Sequence, residues 1–212
     1  MNIGNILSLL WCQISVILGL TGNFYVLFAT IRHKAIKLDK MSVWIIQNIA
    51  VVDISNCFFV GIPTITTLYA EGRWILGDTF CTVEFVYKYI FCIANMILIN
   101  FLSLNKLIRC LFPLRNLYVS QFQRYSVSVV TAIVSLVSPM WSSYGALVDG
   151  FYVVVFSASQ GMCWAEYAED ITKWQVTLEL LTTALTTALP CLTLVFMNVL
   201  LVFYLDPFEI KY

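Results

Sequence analysis

Apolar residues in this chain come in long blocks separated by short polar stretches, with no sustained alternation of the kind a half-buried strand would show. Five blocks stand out, at about 6–31, 41–70, 81–112, 125–148 and 174–205. Each is long enough, at roughly 1.5 Å per helical residue, to cross a hydrocarbon layer of about 30 Å. The pattern predicts an all-α membrane protein, a helical bundle in one domain covering 1–212. The first block has no cationic start and is too long for a signal-peptide core, so it reads as a membrane helix. Between the fourth and fifth blocks, Phe151–Phe156 and Met162–Tyr167 flank Ser157–Gly161, the pattern of a β-hairpin.

Composition agrees with this reading. The chain is 60% hydrophobic and 11% charged, with mean hydropathy +0.86, whereas soluble domains are roughly 25% charged. Formal net charge is zero and no basic run occurs, so nucleic acid is not an expected partner. The distribution of cations is informative where their total is not. Arg32, Lys34, Lys37 and Lys40 crowd the first loop, and Lys106, Arg109, Arg115 and Arg124 surround the third. The two remaining loops offer only Arg73 and Lys173, against Glu71, Asp78, Asp149, Glu166, Glu169 and Asp170. By the positive-inside rule the loops at 32–40 and 113–124 face the cytosol. The N-terminus is then extracellular and, with five spans, the C-terminus cytosolic.

Polar residues inside the blocks are the candidates for function, because hydrocarbon cannot satisfy them. Asp53 must face a polar interior, since a carboxylate at mid-span costs roughly 2.5–3.5 kcal/mol on insertion scales. Asn23 and Asn95 need buried partners for the same reason. Gly22-Asn23 also fits a small-residue helix contact, and spacing alone does not separate the two readings. Glu84 and Lys88, four residues apart in acid-first order, share a helix face. They read either as a mutually neutralising pair or as a ligand contact in an outward-facing cavity. The only histidine, His33, lies in the basic loop, so no His-based metal site or Ser-His dyad can form in the membrane. An enzyme is not expected, and no cofactor is implied.

Trp74, Gly77 and Cys81 stand in the order W-x-x-G-x-x-x-C, and the block they open ends on Asn105-Lys106-Leu107, eight residues before Pro113. This resembles the third transmembrane helix of class A (rhodopsin-like) G-protein-coupled receptors. Gly22-Asn23, the Asn48…Asp53 spacing and Pro190 are similar to landmarks of the family's first, second and fifth helices. The resemblance implies a disulfide from Cys81 to the hairpin cysteine, Cys163. The topology agrees, because these are the two cysteines on the oxidising side. It also implies ligand-pocket residues at Glu84, Lys88, Phe91 and Trp164, and an interior polar network of Asn23, Asp53 and Asn95. Asp53 and Asn95 become sodium candidates; no other metal is expected. Asn105, Lys106, Leu107, Arg109 and Leu114 would face a heterotrimeric G protein.

The sequence also departs from that family. The family's Asp-Arg-Tyr triplet is Asn-Lys-Leu here; Lys106 keeps the charge but not the planar fork of arginine, and Asn105 cannot form the ion pair. The fourth block lacks the usual mid-helix tryptophan, and Thr187 and Asn198 stand where aromatics flank the fifth-helix proline. Lys88 occupies the place of the amine-binding aspartate of aminergic receptors, which argues against an amine ligand and toward an anion. Glu84 falls where visual opsins carry a counterion, and Cys163-Trp-Ala-Glu-Tyr167 is similar to an opsin second loop. An opsin, however, holds retinal on a seventh-helix lysine, which these 212 residues do not include.

Three expectations follow. The first is a plasma-membrane receptor, or its first five helices, that senses a small extracellular ligand and signals to a G protein when two further helices complete it. The second is a truncated, non-signalling partner that associates with other receptors, with retention in the endoplasmic reticulum. The third is a small transporter, suggested by the charges at Asp53, Glu84 and Lys88, although the internal repeats such proteins show are not found.

Overall fold

A computed structural model describes residues 3–32, 39–71, 73–111, 133, 152–157, 162–167, 177, 181 and 184–209. The fourth apolar block, apart from Ile133, and the loop at 113–124 lie outside the described residues. Helix α1 spans Ile3–Arg32, and α2 spans Lys40–Asn56. A π-helical turn, Cys57–Gly61, joins α2 to α3, Ile62–Tyr69, so these form one rod. Helix α4 runs from Asp78 to Leu111, and α5 from Leu189 to Glu209 after a π-turn at Ala184–Ala188. Strands β1, Tyr152–Ser157, and β2, Met162–Tyr167, pair antiparallel. The hairpin stands where the sequence placed it, with β1 shifted by one residue. Among the described residues, three helical rods, Ile6–Arg32, Lys40–Tyr69 and Asp78–Cys110, are long and apolar enough to cross a membrane.

Both π-turns end two residues before a proline, Pro63 in one case and Pro190 in the other. A proline ring has no N–H to give and crowds the carbonyl four residues back, so the ladder relaxes to a wider spacing just upstream. At the first site the Ile62 amide accordingly reaches the Cys57 carbonyl. The distortion at Pro63 is a local widening of the rod rather than a break.

Helix α1 crosses this widened turn at close range. A Cβ on Gly61 would sit 2.6 Å from Val16 Cγ2, and one on Gly19 would sit 2.9 Å from the Cys57 sulfur. A Cβ on Gly22 would meet nothing within 4 Å. The small-residue contact anticipated at Gly22-Asn23 falls one turn earlier, at Gly19.

Helix α4 is central. Cys81, Glu84, Lys88, Phe91, Asn95, Leu98, Leu102 and Asn105 recur along it at alternating steps of three and four, one continuous stripe. That stripe meets α2: Leu98 packs with Met41 and Ile45, beside Trp44, Ile49, Val52 and Leu102. A second ridge of Cys92, Met96 and Asn100, rotated about 100° around the helix, turns toward α5, where Asn100 and Met96 reach Pro190 and Cys191.

Candidate functional site

At the N-terminal end of α4, the W-x-x-G-x-x-x-C spacing has a direct physical reading. Gly77 adopts φ +81°, a conformation that favours glycine. Its carbonyl accepts the Trp74 indole N–H at 2.8 Å and the Cys81 amide at 3.1 Å. One carbonyl thereby fixes the tryptophan and starts the helix that presents the cysteine. Trp74 then stacks on Phe156 of β1 at 5.7 Å between ring centroids. Cys81 and Cys163 are disulfide-bonded, with Cα atoms 5.4 Å apart, and both are buried with Phe85.

One turn below the disulfide, Glu84 is fully buried. Its Oε2 accepts the Cys163 backbone N–H at 3.2 Å, and its Oε1 lies 3.5 Å from Lys88 Nζ. The carboxylate thus couples two things, the hairpin and the neighbouring cation, and the ion pair is that of the mutually neutralising reading. Phe91 joins a stack with Tyr87 and Phe59, at 5.6 and 6.2 Å. Trp164 sits in β2 opposite Val155; its side chain lies outside the described residues.

At mid-helix, Asn95 Nδ2 donates to Asp53 Oδ1 at 2.6 Å, tying α4 to α2. Asn95 Oδ1 is buried without a hydrogen-bond partner. Asn23 stands apart from the pair, its amide given to the Gly19 carbonyl of its own helix at 2.8 Å. An acidic oxygen beside an orphan amide oxygen is a donor set of the kind hard cations accept.

Sequence reasoning passed over a second interhelical link. Asn100 Nδ2 donates to the Pro190 carbonyl at 3.1 Å, and the Thr193 hydroxyl donates to Asn100 Oδ1 at 2.9 Å. The available signal was Asn100 itself, a polar residue in an apolar block.

The C-terminal end of α4 carries the largest departure from sequence expectation. Asp39 caps α2, with its carboxylate accepting the Ser42 amide at 3.1 Å. The same carboxylate accepts Asn105 Nδ2 at 2.8 Å and pairs with Arg109 at 2.9 Å. Asn105 also donates to Ser42 Oγ at 3.0 Å. Burial alone would raise the Asp39 pKa; the hydrogen bonds from Ser42 and Asn105 and the Arg109 charge outweigh it, holding the carboxyl below its ordinary value. Lys106 is exposed and Leu107 is buried. Leu114 lies outside the described residues.

A helix bundle with membrane-length rods, polar links between its helices and a disulfide-pinned hairpin at one end has the architecture of a multi-pass membrane protein. Residues 22–206 match the family described as 7 transmembrane receptor (rhodopsin family), and the chain belongs to that family. It is 32% identical over 125 residues to melanopsin-B of Xenopus laevis, covering 58% of this chain and 22% of that protein. It is 25% identical over 185 residues to somatostatin receptor type 3 of Mus musculus, covering 86% of this chain and 40% of that protein. The crystal structure of squid rhodopsin superposes with a TM-score of 0.74 at 16% identity, over 94% of this chain and 55% of that one. The chain thus spans well under half the length of these two sequence relatives.

Proposed function

We propose that this chain is the ligand-sensing, five-helix part of a rhodopsin-like receptor at the plasma membrane, with its N-terminus outside. One observation carries the reading: a single stripe of α4 runs from the hairpin to the opposite end of the bundle. It contacts the hairpin through Glu84, α2 at mid-helix through Asn95, and the α2 cap through Asn105. A movement of the hairpin or of Lys88 is thereby linked to the end where Lys106 and Arg109 are exposed. A heterotrimeric G protein, met there once further helices complete the bundle, is the expected partner.

The ligand is a small anion. Lys88 is partly exposed and leans on a carboxylate that also holds the hairpin. A ligand carboxylate or phosphate that takes Lys88 competes with Glu84 for it and loosens the hairpin contact. A thermal-shift screen of small anions and amines on purified protein tests this. Anions are expected to shift the melting point, and Lys88→Gln to abolish the shift. Hits confined to amines and unchanged by that substitution would contradict it.

A second reading, association with other receptors, is supported by the apolar face of α5. Leu192, Val195, Phe196, Val202 and Phe203 are all more than 60% exposed. Expressed alone, these 212 residues are expected to give no nucleotide exchange above an empty-vector control on a panel of G proteins, because a ligand needs a bistable element to bias. Exchange from the isolated chain would refute that expectation.

A further inference from the structure

We propose that Cys92, Met96 and Cys191 form a soft-metal site that takes one monovalent copper ion between α4 and α5. The Cys191 sulfur lies 3.6 Å from the Met96 sulfur, a separation that two sulfurs bound to one metal at about 2.3 Å each can adopt. Cys92 is four residues before Met96 on the ridge whose next member, Asn100, also touches α5. It therefore stands one turn from Met96 and on the same side. Cys92 and Cys191 are both reduced and exposed, so neither thiol is consumed elsewhere.

The donor set selects the ion. Two thiols and a thioether are soft ligands, which favour copper(I) over hard cations. Charge selects further. In an apolar span a net charge is costly, and copper(I) needs only one thiolate to be neutral: Cys191–SH plus Cu⁺ gives Cys191–S–Cu plus H⁺, with Met96 and the Cys92 thiol as neutral donors. Zinc would need both cysteines ionised, and usually a fourth ligand. The flexible thioether of Met96 can close on the ion without moving either helix. The site adjoins the Asn100–Pro190 hydrogen bond, so occupancy would hold α4 and α5 together at the proline.

The test is a titration of purified, detergent-solubilised protein with copper(I) against a competing chelator, with zinc in parallel. Wild type is expected to hold about one copper per chain with an all-sulfur shell in X-ray absorption. Cys191→Ser should abolish it, and Met96→Leu should weaken it. Cys12→Ser and Cys110→Ser should leave it unchanged. Retention of the Cys81–Cys163 disulfide and of monodispersity shows that a variant is folded. If Cys191→Ser does not fold, the Met96→Leu titration and the wild-type sulfur shell decide. Copper retained in a folded Cys191→Ser protein, lost instead on changing Cys12 or Cys110, or displaced by equimolar zinc would overturn the proposal.

Discussion

The two ends of α4 are each organised by a carboxylate, yet the two carboxylates are held differently. Glu84 belongs to α4 itself, is fully buried, and sits under a covalent bond between Cys81 and Cys163. Asp39 belongs to the neighbouring helix and is held by hydrogen bonds and by Arg109, whose side chain is half exposed. The hairpin end is locked; the opposite end is fastened by contacts that can be exchanged.

Removing the covalent lock should have the largest effect. Cys163→Ser opens a loop of 82 residues, which in the chain-entropy model costs about 4–5 kcal/mol, less any strain in the native bond. Thermal unfolding in detergent should show the loss, and Cys110→Ser should show none. Next in size is Glu84→Ala, which strands the buried Cys163 amide and leaves Lys88 without its carboxylate. We expect about 2–4 kcal/mol. Glu84→Gln should recover part of this, because an amide oxygen still accepts the Cys163 N–H. Equal losses for Ala and Gln would mean that the ion pair, and not the hairpin contact, dominates.

The end of α4 away from the hairpin should respond more weakly. Asp39→Asn keeps a capping oxygen but loses the ion pair, for about 1 kcal/mol; Asp39→Ala loses the cap as well, for about 2 kcal/mol. Arg109→Gln should cost less than Asp39→Asn, because it breaks the ion pair while the carboxylate keeps its hydrogen bonds from Ser42 and Asn105, one of which an amide would meet with a donor. The smallest effect is the acid response. Because the Asp39 carboxyl is held below its ordinary 3.8, its contribution is complete above the unfolded value and fades as pH falls through the lower folded one. Stability attributable to Asp39, read as the difference between wild type and Asp39→Asn, should be flat from about pH 7 to 5 and shrink below about pH 4.

The contrast also marks what the sequence could convey. A bilayer imposes its thickness on every span, and the first three apolar blocks coincide with the three membrane-length rods within a few residues. Cys81 and Cys163 were legible because topology leaves few places for a disulfide. Glu84 and Lys88 were legible as a pair, since i,i+4 spacing is local. The Glu84 contact with the Cys163 amide was not, because it depends on how the hairpin folds back. Asp39 was invisible for a related reason. An acid between Lys37 and Lys40 reads as a solvated loop residue, and only the register of α2 against α4 brings Asn105 and Arg109 to it. Asn105, read as the loss of an ion pair, became legible only with that register; its amide serves an acid supplied by another helix.

Which end faces the cell exterior is the premise on which the locked mouth, the exchangeable inner end and the proposed partners all rest. Two single-cysteine additions test it in one experiment: Ala158→Cys in the hairpin loop and Ile36→Cys in the first loop, labelled with a membrane-impermeant maleimide and read against wild type. The account predicts labelling of Ala158→Cys in intact cells, and of Ile36→Cys only after permeabilisation. Labelling of Ile36→Cys in intact cells, with Ala158→Cys protected until permeabilisation, would contradict it.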